Sequence, residues 1–211
     1  MTRLLVVLDV DSTLIEQEAI ELLADEAGSG AQVAAITARA MAGELDFVRS
    51  LADRVATLAG LDAGAIHRAA ARVQLTRGAR ELVASIHANH GRVAVVSGGF
   101  HELLDPIAVE LQLDAYRANR LAVEEDRFTG ATTGPVIDAR AKADALREWA
   151  DHFDVPLHNT VVVGDGANDL AMMAEAGLSI AFDAKPLVRA AAHVSLPERD
   201  LAAVLAVLGL R

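Results

Sequence analysis

The sequence predicts an α/β fold: an open, doubly wound parallel sheet carrying an inserted helical cap and a small β-hairpin. Three observations predict it. Short aliphatic runs recur at Leu4–Val10, Arg92–Val96, Thr160–Val163 and Leu178–Phe182. Each is followed by a turn signal and then a helical pattern, the alternation of a parallel sheet covered on both faces. The stretch from Glu16 to about Gln74 breaks this alternation and holds no convincing strand. Ala115–Thr133 breaks it a second time, with two extended runs around a polar turn.

The elements follow in order. Leu4–Val10 is the first strand. Helical patterns at Glu18–Ala27, Ala31–Met41, Asp46–Ala59 and Asp62–Val73 come next, punctuated by Gly28, Gly30, Gly43, Gly60 and Gly64. A helical block between the first strand and the rest of a sheet reads as a cap over the strand ends. Residues 16–74 are therefore assigned to the cap, and residues 1–15 with 75–211 to the α/β core. Gly78 restarts the core with the helix Ala79–Asn89, the strand Arg92–Val96 and the helix Phe100–Leu113. Tyr116–Val123 and Arg127–Thr133 flank Glu124-Glu125-Asp126 and predict a hairpin that projects from the sheet. The helix Asp138–His152 leads into the strand Thr160–Val163. The helix Ala167–Ala176, the strand Leu178–Phe182, the helix Pro186–Ala192 and a closing helix Leu201–Leu208 complete the chain.

Bulk composition bounds the function. The 211 residues suit one domain carrying a smaller inserted one. Hydrophobic residues make up 53% and aromatics only 3%, so Ala, Val, Leu and Ile must build the core. A formal charge of −11 argues against nucleic acid and anionic membranes as partners. A small phosphorylated substrate stays compatible, because a local pocket with a metal and a few cations can overrule the global sign. The absence of cysteine excludes disulfides and thiolate metal sites. The apolar run Leu4–Leu8 is too short for a signal-peptide core or a membrane span, so a cytoplasmic location is the default expectation. A monomer or homodimer is expected.

Four short segments carry chemistry. Asp9-Val10-Asp11-Ser12-Thr13 ends the first strand, where ligands of open α/β sheets bind. Alone it is either such a site or a turn using Asp and Ser for local hydrogen bonds. Gly164-Asp165-Gly166-Ala167-Asn168-Asp169 follows another strand, and alone is either a site or a loop capping a helix. Parallel strands would bring both to one edge. Carboxylates about 5 Å apart repel by about 3 kcal/mol per pair at an effective dielectric near 20. Such a cluster needs a cation or protonation, and oxygen-only ligands favour Mg²⁺ over zinc. Ser97-Gly98-Gly99, between a strand and a helix, offers a hydroxyl and glycine N–H groups to an anion, or is an ordinary turn. Lys142 lies in the first turn of a helix, where the dipole disfavours a cation, so it is either a solvated residue or placed for a ligand.

With all four segments in this order, the sequence resembles the haloacid-dehalogenase superfamily of aspartate-nucleophile phosphatases, with its Rossmann-like core. Within it the chain is most similar to the phosphoserine phosphatases, and the match spans nearly its whole length. The resemblance implies magnesium-dependent hydrolysis of O-phosphoserine, the last step of serine biosynthesis, through an aspartyl phosphate. Asp9 resembles the nucleophile and Asp11 the general acid and base. Mg²⁺ is implied at the Asp9 side chain, the Asp11 backbone carbonyl and the Asp165 side chain, with Asp169 in support. Ser97, Gly98, Lys142 and Asn168 match positions that hold the phosphoryl oxygens. In the cap, Glu18 matches the position that meets the substrate ammonium, Arg54 the one that meets its carboxylate, and Phe47 the one that packs on the substrate and closes the lid. Phe47 and Arg54 are seven apart and share a helical face.

Other readings stand beside these. Glu18 shares a stripe with Glu21 and Asp25 that suits a solvated face. Phe47 fits an apolar stripe with Val48, Leu51 and Val55, and Arg54 has Glu44 as a possible partner. The histidines, including His101 at a helix start, lack metal-ligand spacing. Other small phosphomonoesters, such as phosphothreonine or a homoserine phosphate, and phosphotransfer to an alcohol, are alternatives. A phosphate-receiving signalling module is a second class, disfavoured by the helical insertion and by Asp11. Many relatives carry an N-terminal regulatory domain. With Leu4 already in the first strand, none is expected here, nor serine feedback through one.

Overall fold

A computed structural model describes residues 4–210. Its strands are β1 (Leu5–Leu8), β2 (Arg92–Phe100), β3 (Ala115–Glu124), β4 (Arg127–Thr133), β5 (Thr160–Gly164), β6 (Leu178–Phe182) and β7 (Val194–Leu196). They form one seven-stranded sheet in the order β4-β3-β2-β1-β5-β6-β7, parallel except for β3 with β4. Helices α1 (Ala19–Ala27), α2 (Gly30–Met41), α3 (Phe47–Ala56) and α4 (Ala65–Ala70) follow β1. Then come α5 (Ala79–Ala88), α6 (His101–Leu111), α7 (Ala139–His152), α8 (Leu170–Glu175), α9 (Pro186–Ala191) and α10 (Ala203–Leu208).

The period-2 alternation of a strand explains the two-sided core. Val6 and Leu8 of β1 pack with Leu82, Ile86, Leu104 and Val204 on one face. Leu5 and Val7 pack with Leu146, Trp149, Met172 and Met173 on the other. All four β1 residues are 0% exposed, as a central strand covered on both faces requires. A third cluster joins Ile20, Leu23, Val33, Leu51, Val55 and Leu58 of the α1–α4 region to Phe100, Leu121 and Phe128.

Chain order runs outward from β1 through β2 to β3, then returns to β5 on the other side, so the order reverses at β1. Open α/β sheets bind ligands outside the strand ends at such a point. Register sets what meets there. Leu8 pairs with Val95 of β2 and with Val163 of β5, so Asp9, Ser97 and Asp165 come to one edge of the sheet. The segments entering and leaving α1–α4 run side by side: Glu16 N–H donates to the Gln74 carbonyl at 2.9 Å and Thr76 N–H to the Leu14 carbonyl at 2.9 Å.

Several sequence expectations shift. The β2 strand runs on to Phe100 instead of ending at Val96. Val96 pairs with Arg117 and Phe100 with Asn119, so Ser97, Gly98 and Gly99 stand opposite Ala118 alone, as a bulge. The hairpin forms where expected, its outer part from Arg120 on pairing only within itself, and it leans on the helical region instead of standing free. The first half of β3 pairs with β2, and β4 is tied to the helical region by the Gly60 N–H donating to the Phe128 carbonyl at 2.8 Å. The β7 strand was not foreseen; its three residues are too few and too exposed to show a pattern. Among the described residues, no helix is long and apolar enough to cross a membrane.

Candidate active site

The segment after β1 turns sharply: Ser12 adopts φ 56°, a left-handed conformation rare outside glycine. Asp9 and Asp11, just before it, take different partners. Asp9 is 4% exposed, and its Oδ1 accepts from the Val10 N–H at 2.7 Å and from the Lys142 ammonium at 2.6 Å. Among the described residues no donor is recorded on its Oδ2.

Lys142 is 0% exposed and also donates to Asp169 Oδ1 at 2.7 Å. The Asp138 side chain caps its helix by accepting from the Ala141 N–H at 2.8 Å. A buried ammonium at a helix start is opposed by desolvation and by the dipole; two carboxylates offset both. Burial lowers the pKa of Lys142, but Asp169 and Asp9 outweigh it and the net shift is upward. The solvated alternative for Lys142 is thereby removed.

Asp169 Oδ2 accepts from the Gly166 N–H at 3.1 Å, which seats its carboxylate against the β5 end. A Cβ on Gly164 would lie 2.4 Å from that oxygen, so only glycine leaves it room. The Thr13 hydroxyl donates to Asp165 Oδ1 at 3.3 Å and orients it. Asp9, Asp165 and Asp169 each offer a carboxylate oxygen, all within 4.8 Å of one another. Burial raises the pKa of Asp9, Asp169 adds to it, and Lys142 only partly opposes them. Burial, with Asp169 and Glu18, raises Asp165 to about 6. Three carboxylates against one ammonium leave unmet negative charge, so the cluster fits a divalent cation with a preference for oxygen ligands.

Asp11 is partly buried. Its Oδ1 accepts from the Ala19 N–H at 2.7 Å and its Oδ2 from the Ser97 hydroxyl at 3.2 Å. Burial, then the charge of Glu18, raises it to about 7, so it retains its proton for much of the time near neutrality. Its side chain stands outside the three-carboxylate cluster. Ser97 is 1% exposed, and its oxygen also accepts from the Gly99 N–H at 2.7 Å. A Cβ on Gly99 would come within 2.6 Å of Asp11 Oδ2.

A cleft of about 600 Å³ opens over these groups. Asp9, Asp11, Asp165, Gly98 and Asn168 line it from the sheet side, and Glu18, Phe47 and Arg54 from the helical side. Ser97 and Lys142 lie behind that lining. Glu18 precedes α1 and accepts from the Ser12 hydroxyl at 2.7 Å, so it faces inward and is not on a solvated stripe. Phe47 lies over Gly98: a Cβ there would be 2.8 Å from the ring. Arg54 donates from Nε to the Ser50 carbonyl at 3.2 Å. Glu44, its alternative partner, pairs with Arg39 at 3.1 Å instead. Burial lowers the pKa of Arg54, while Glu18 and Asp11 raise it, so these charges share one space. Acidic side chains and the Arg54 guanidinium thus face the same cleft.

The sequence points to no role for Thr13, Asn119 or Lys185, although Thr13 belongs to the Asp9–Thr13 segment. The Gly99 N–H, expected to face an anion, is taken up by Ser97 Oγ. Lys185, an exposed residue, lines the cleft and lowers Asp165 electrostatically. Asn119 sits mid-strand with no local signal. His101, as expected, serves structure: its ring pairs with Asp105 at 2.8 Å and accepts from the Ala118 N–H at 3.2 Å.

Known proteins align with this geometry. The sequence model of the haloacid dehalogenase-like hydrolase family matches residues 6–174. Phosphoserine phosphatase of Lactococcus lactis is 47% identical over 95% of this chain and 93% of its own length. Phosphoserine phosphatase SerB2 of Mycobacterium tuberculosis is 49% identical over 99% of this chain, which spans only 51% of that relative. A solved phospho-aspartyl intermediate analogue of phosphoserine phosphatase superposes with a TM-score of 0.93 at 40% identity, covering 98% of this chain and 99% of that one. A substrate-bound phosphoserine phosphatase complex superposes with a TM-score of 0.93 at 39% identity, with the same coverage.

Proposed function

We propose, from the premise that this chain belongs to the haloacid dehalogenase-like hydrolase family, that it is a phosphoserine phosphatase working through a phosphorylated Asp9. The observation that carries this reading is the state of Asp9. One carboxylate oxygen is anchored by Lys142 and the Val10 N–H, and the other has no donor among the described residues and lies in the cleft lining with Asp165 and Asp11.

Asp9 Oδ2 attacks phosphorus while the phosphorus–oxygen bond to serine breaks. An alkoxide is a poor leaving group, so Asp11, poised near neutrality, gives its proton to the departing oxygen. Asp11, now a carboxylate, takes a proton from the water that attacks the aspartyl phosphate, and Asp9 is released. Splitting one displacement into two is the gain of a covalent carboxylate. Lys142 holds Asp9 in place, and Gly98 and Asn168 hold the phosphoryl oxygens, with Ser97 placed behind them. Mg²⁺ is the fitting ion for Asp9, Asp165 and the Asp11 carbonyl, with Asp169 in support; when bound it neutralises phosphoryl charge. Glu18 receives the substrate ammonium, Arg54 its carboxylate, and Phe47 packs on it.

Residues 16–74 form the cap that selects substrate, and residues 1–15 with 75–211 the catalytic core. The enzyme closes serine biosynthesis in the cytoplasm as a monomer or homodimer, without nucleic-acid or membrane partners. The test is phosphate release from a panel of O-phosphoserine, phosphothreonine, homoserine phosphate and p-nitrophenyl phosphate, with Mg²⁺ and with chelator. Phosphoserine is expected to be preferred, with activity lost in chelator and in Asp9→Asn. Full turnover by Asp9→Asn removes Asp9 as nucleophile; preference for another ester moves the substrate assignment.

A further inference from the structure

Asn119 is 1% exposed, on β3 opposite the end of the β2 bulge. A buried amide is tolerated only when both its ends are paired. Here Nδ2 donates to the Gly98 carbonyl at 2.8 Å and Oδ1 accepts from the Ile137 N–H at 2.9 Å. A carbonyl only accepts and an N–H only donates, so this orientation of the amide is the one both partners permit. The peptide that begins at the Gly98 carbonyl ends at the Gly99 N–H, which donates to Ser97 Oγ. The Ser97 hydroxyl in turn donates to Asp11 Oδ2. A peptide is planar, so holding its carbonyl also aims its N–H.

We propose that Asn119 is a positioning residue for proton transfer. By pinning the Gly98–Gly99 peptide it sets the Ser97 hydroxyl, and through it the Asp11 carboxyl, where the leaving alcohol takes its proton. Its other end holds Ile137, the residue before the Asp138 cap of α7, which carries Lys142. One amide thus ties the bulge behind the acid to the helix behind the nucleophile. The bulge makes this necessary. Ser97, Gly98 and Gly99 have only Ala118 opposite them, so the strand ladder does not hold the Gly98 carbonyl and a side chain does. The role rests on the assignment of Asp11 as general acid.

The test compares kcat/KM, which reports alcohol departure, on O-phosphoserine and p-nitrophenyl phosphate. The aryl oxygen leaves without needing a proton; the serine oxygen does not. Asn119→Asp keeps the acceptor toward Ile137 but sets an oxygen against the Gly98 carbonyl. Its loss on phosphoserine is expected to exceed its loss on the aryl ester by at least about tenfold, a share of the ~10²–10⁴-fold a positioned acid supplies. Adding Ser97→Ala should widen that ratio little further, because both changes cut one path. Equal losses on the two esters, or no loss, overturn the role. If Asn119→Asp fails to fold, Asn119→Ser, which drops the bond to the Gly98 carbonyl without adding a charge, carries the comparison, and equal losses overturn the role there too. Wild-type protein without any Asp9-dependent phosphatase activity overturns the reading of the site and this role with it; an active wild type with equal losses overturns only the role.

Discussion

Lys142→Met removes the ammonium and keeps most of the side-chain volume. It leaves the buried carboxylates of Asp9 and Asp169, formerly 2.6 and 2.7 Å from Nζ, without their shared cation. Breaking a buried ion pair by deleting one partner costs about 3–5 kcal/mol. The repulsion between the stranded anions is of the same size, about 3 kcal/mol at 5 Å and an effective dielectric near 20. Against a typical total of about 5–15 kcal/mol this is a large share. Urea unfolding followed by circular dichroism in EDTA at pH 7.5 measures it, from the midpoint at unchanged slope. The sign with pH is part of the test. Without Lys142 the Asp9 pKa climbs further. A carboxyl whose folded pKa is raised carries no penalty below its unfolded pKa, about 3.9, and an increasing one as pH rises toward the folded value. The deficit should therefore shrink at pH 5 and shrink again when a divalent cation is added at pH 7.5. Turnover should vanish, because a protonated Asp9 does not attack. A loss below about 1 kcal/mol at pH 7.5, or a deficit that grows on acidification, refutes the account of Lys142 as counter-charge.

Arg54→Ala should lower kcat/KM for phosphoserine about tenfold or more while changing p-nitrophenyl phosphate little, since only the former brings a carboxylate to the guanidinium; equal losses place Arg54 outside substrate recognition. Metal-free wild type should lose stability as pH rises from about 4 to 7, because Asp165, raised to about 6, and Asp11, raised to about 7, must ionise while buried. Thermal melts with EDTA and with Mg²⁺ check this, and the added ion should reverse the trend. Away from the site, burial raises the Asp114 pKa, but the Val93 N–H, Arg92 and His87 outweigh it and the net shift is downward. Such a group stabilises above its unfolded pKa and loses that effect as pH falls through its folded one, so Asp114→Asn should cost about 1–2 kcal/mol at pH 7 and progressively less as pH falls below about 3.9.

The sequence by itself determined the layers and the strand–helix alternation, because periodicity and turn chemistry are local properties of a few neighbouring residues. It marked Asp9, Asp11, Asp165 and Asp169 for the same reason: each follows a strand whose aliphatic run is visible in one window. The helical interruption after β1 was legible too, since a strand pattern is absent there. Register was not legible. Only the pairing of Leu8 with Val95 and Val163 brings residues 9, 97 and 165 to one edge. The β2 bulge was hidden because its extra residues are defined by a partner strand about twenty positions away. The sequence left Lys142 between a solvated and a buried role, and burial against two distant carboxylates decided it. Asn119 reads as an ordinary polar residue in a strand; its meaning comes from Gly98 and Ile137, each 18 or more positions distant. Tertiary structure alone settles such cases, because the cost of burying a charge or an amide depends on which partners close around it.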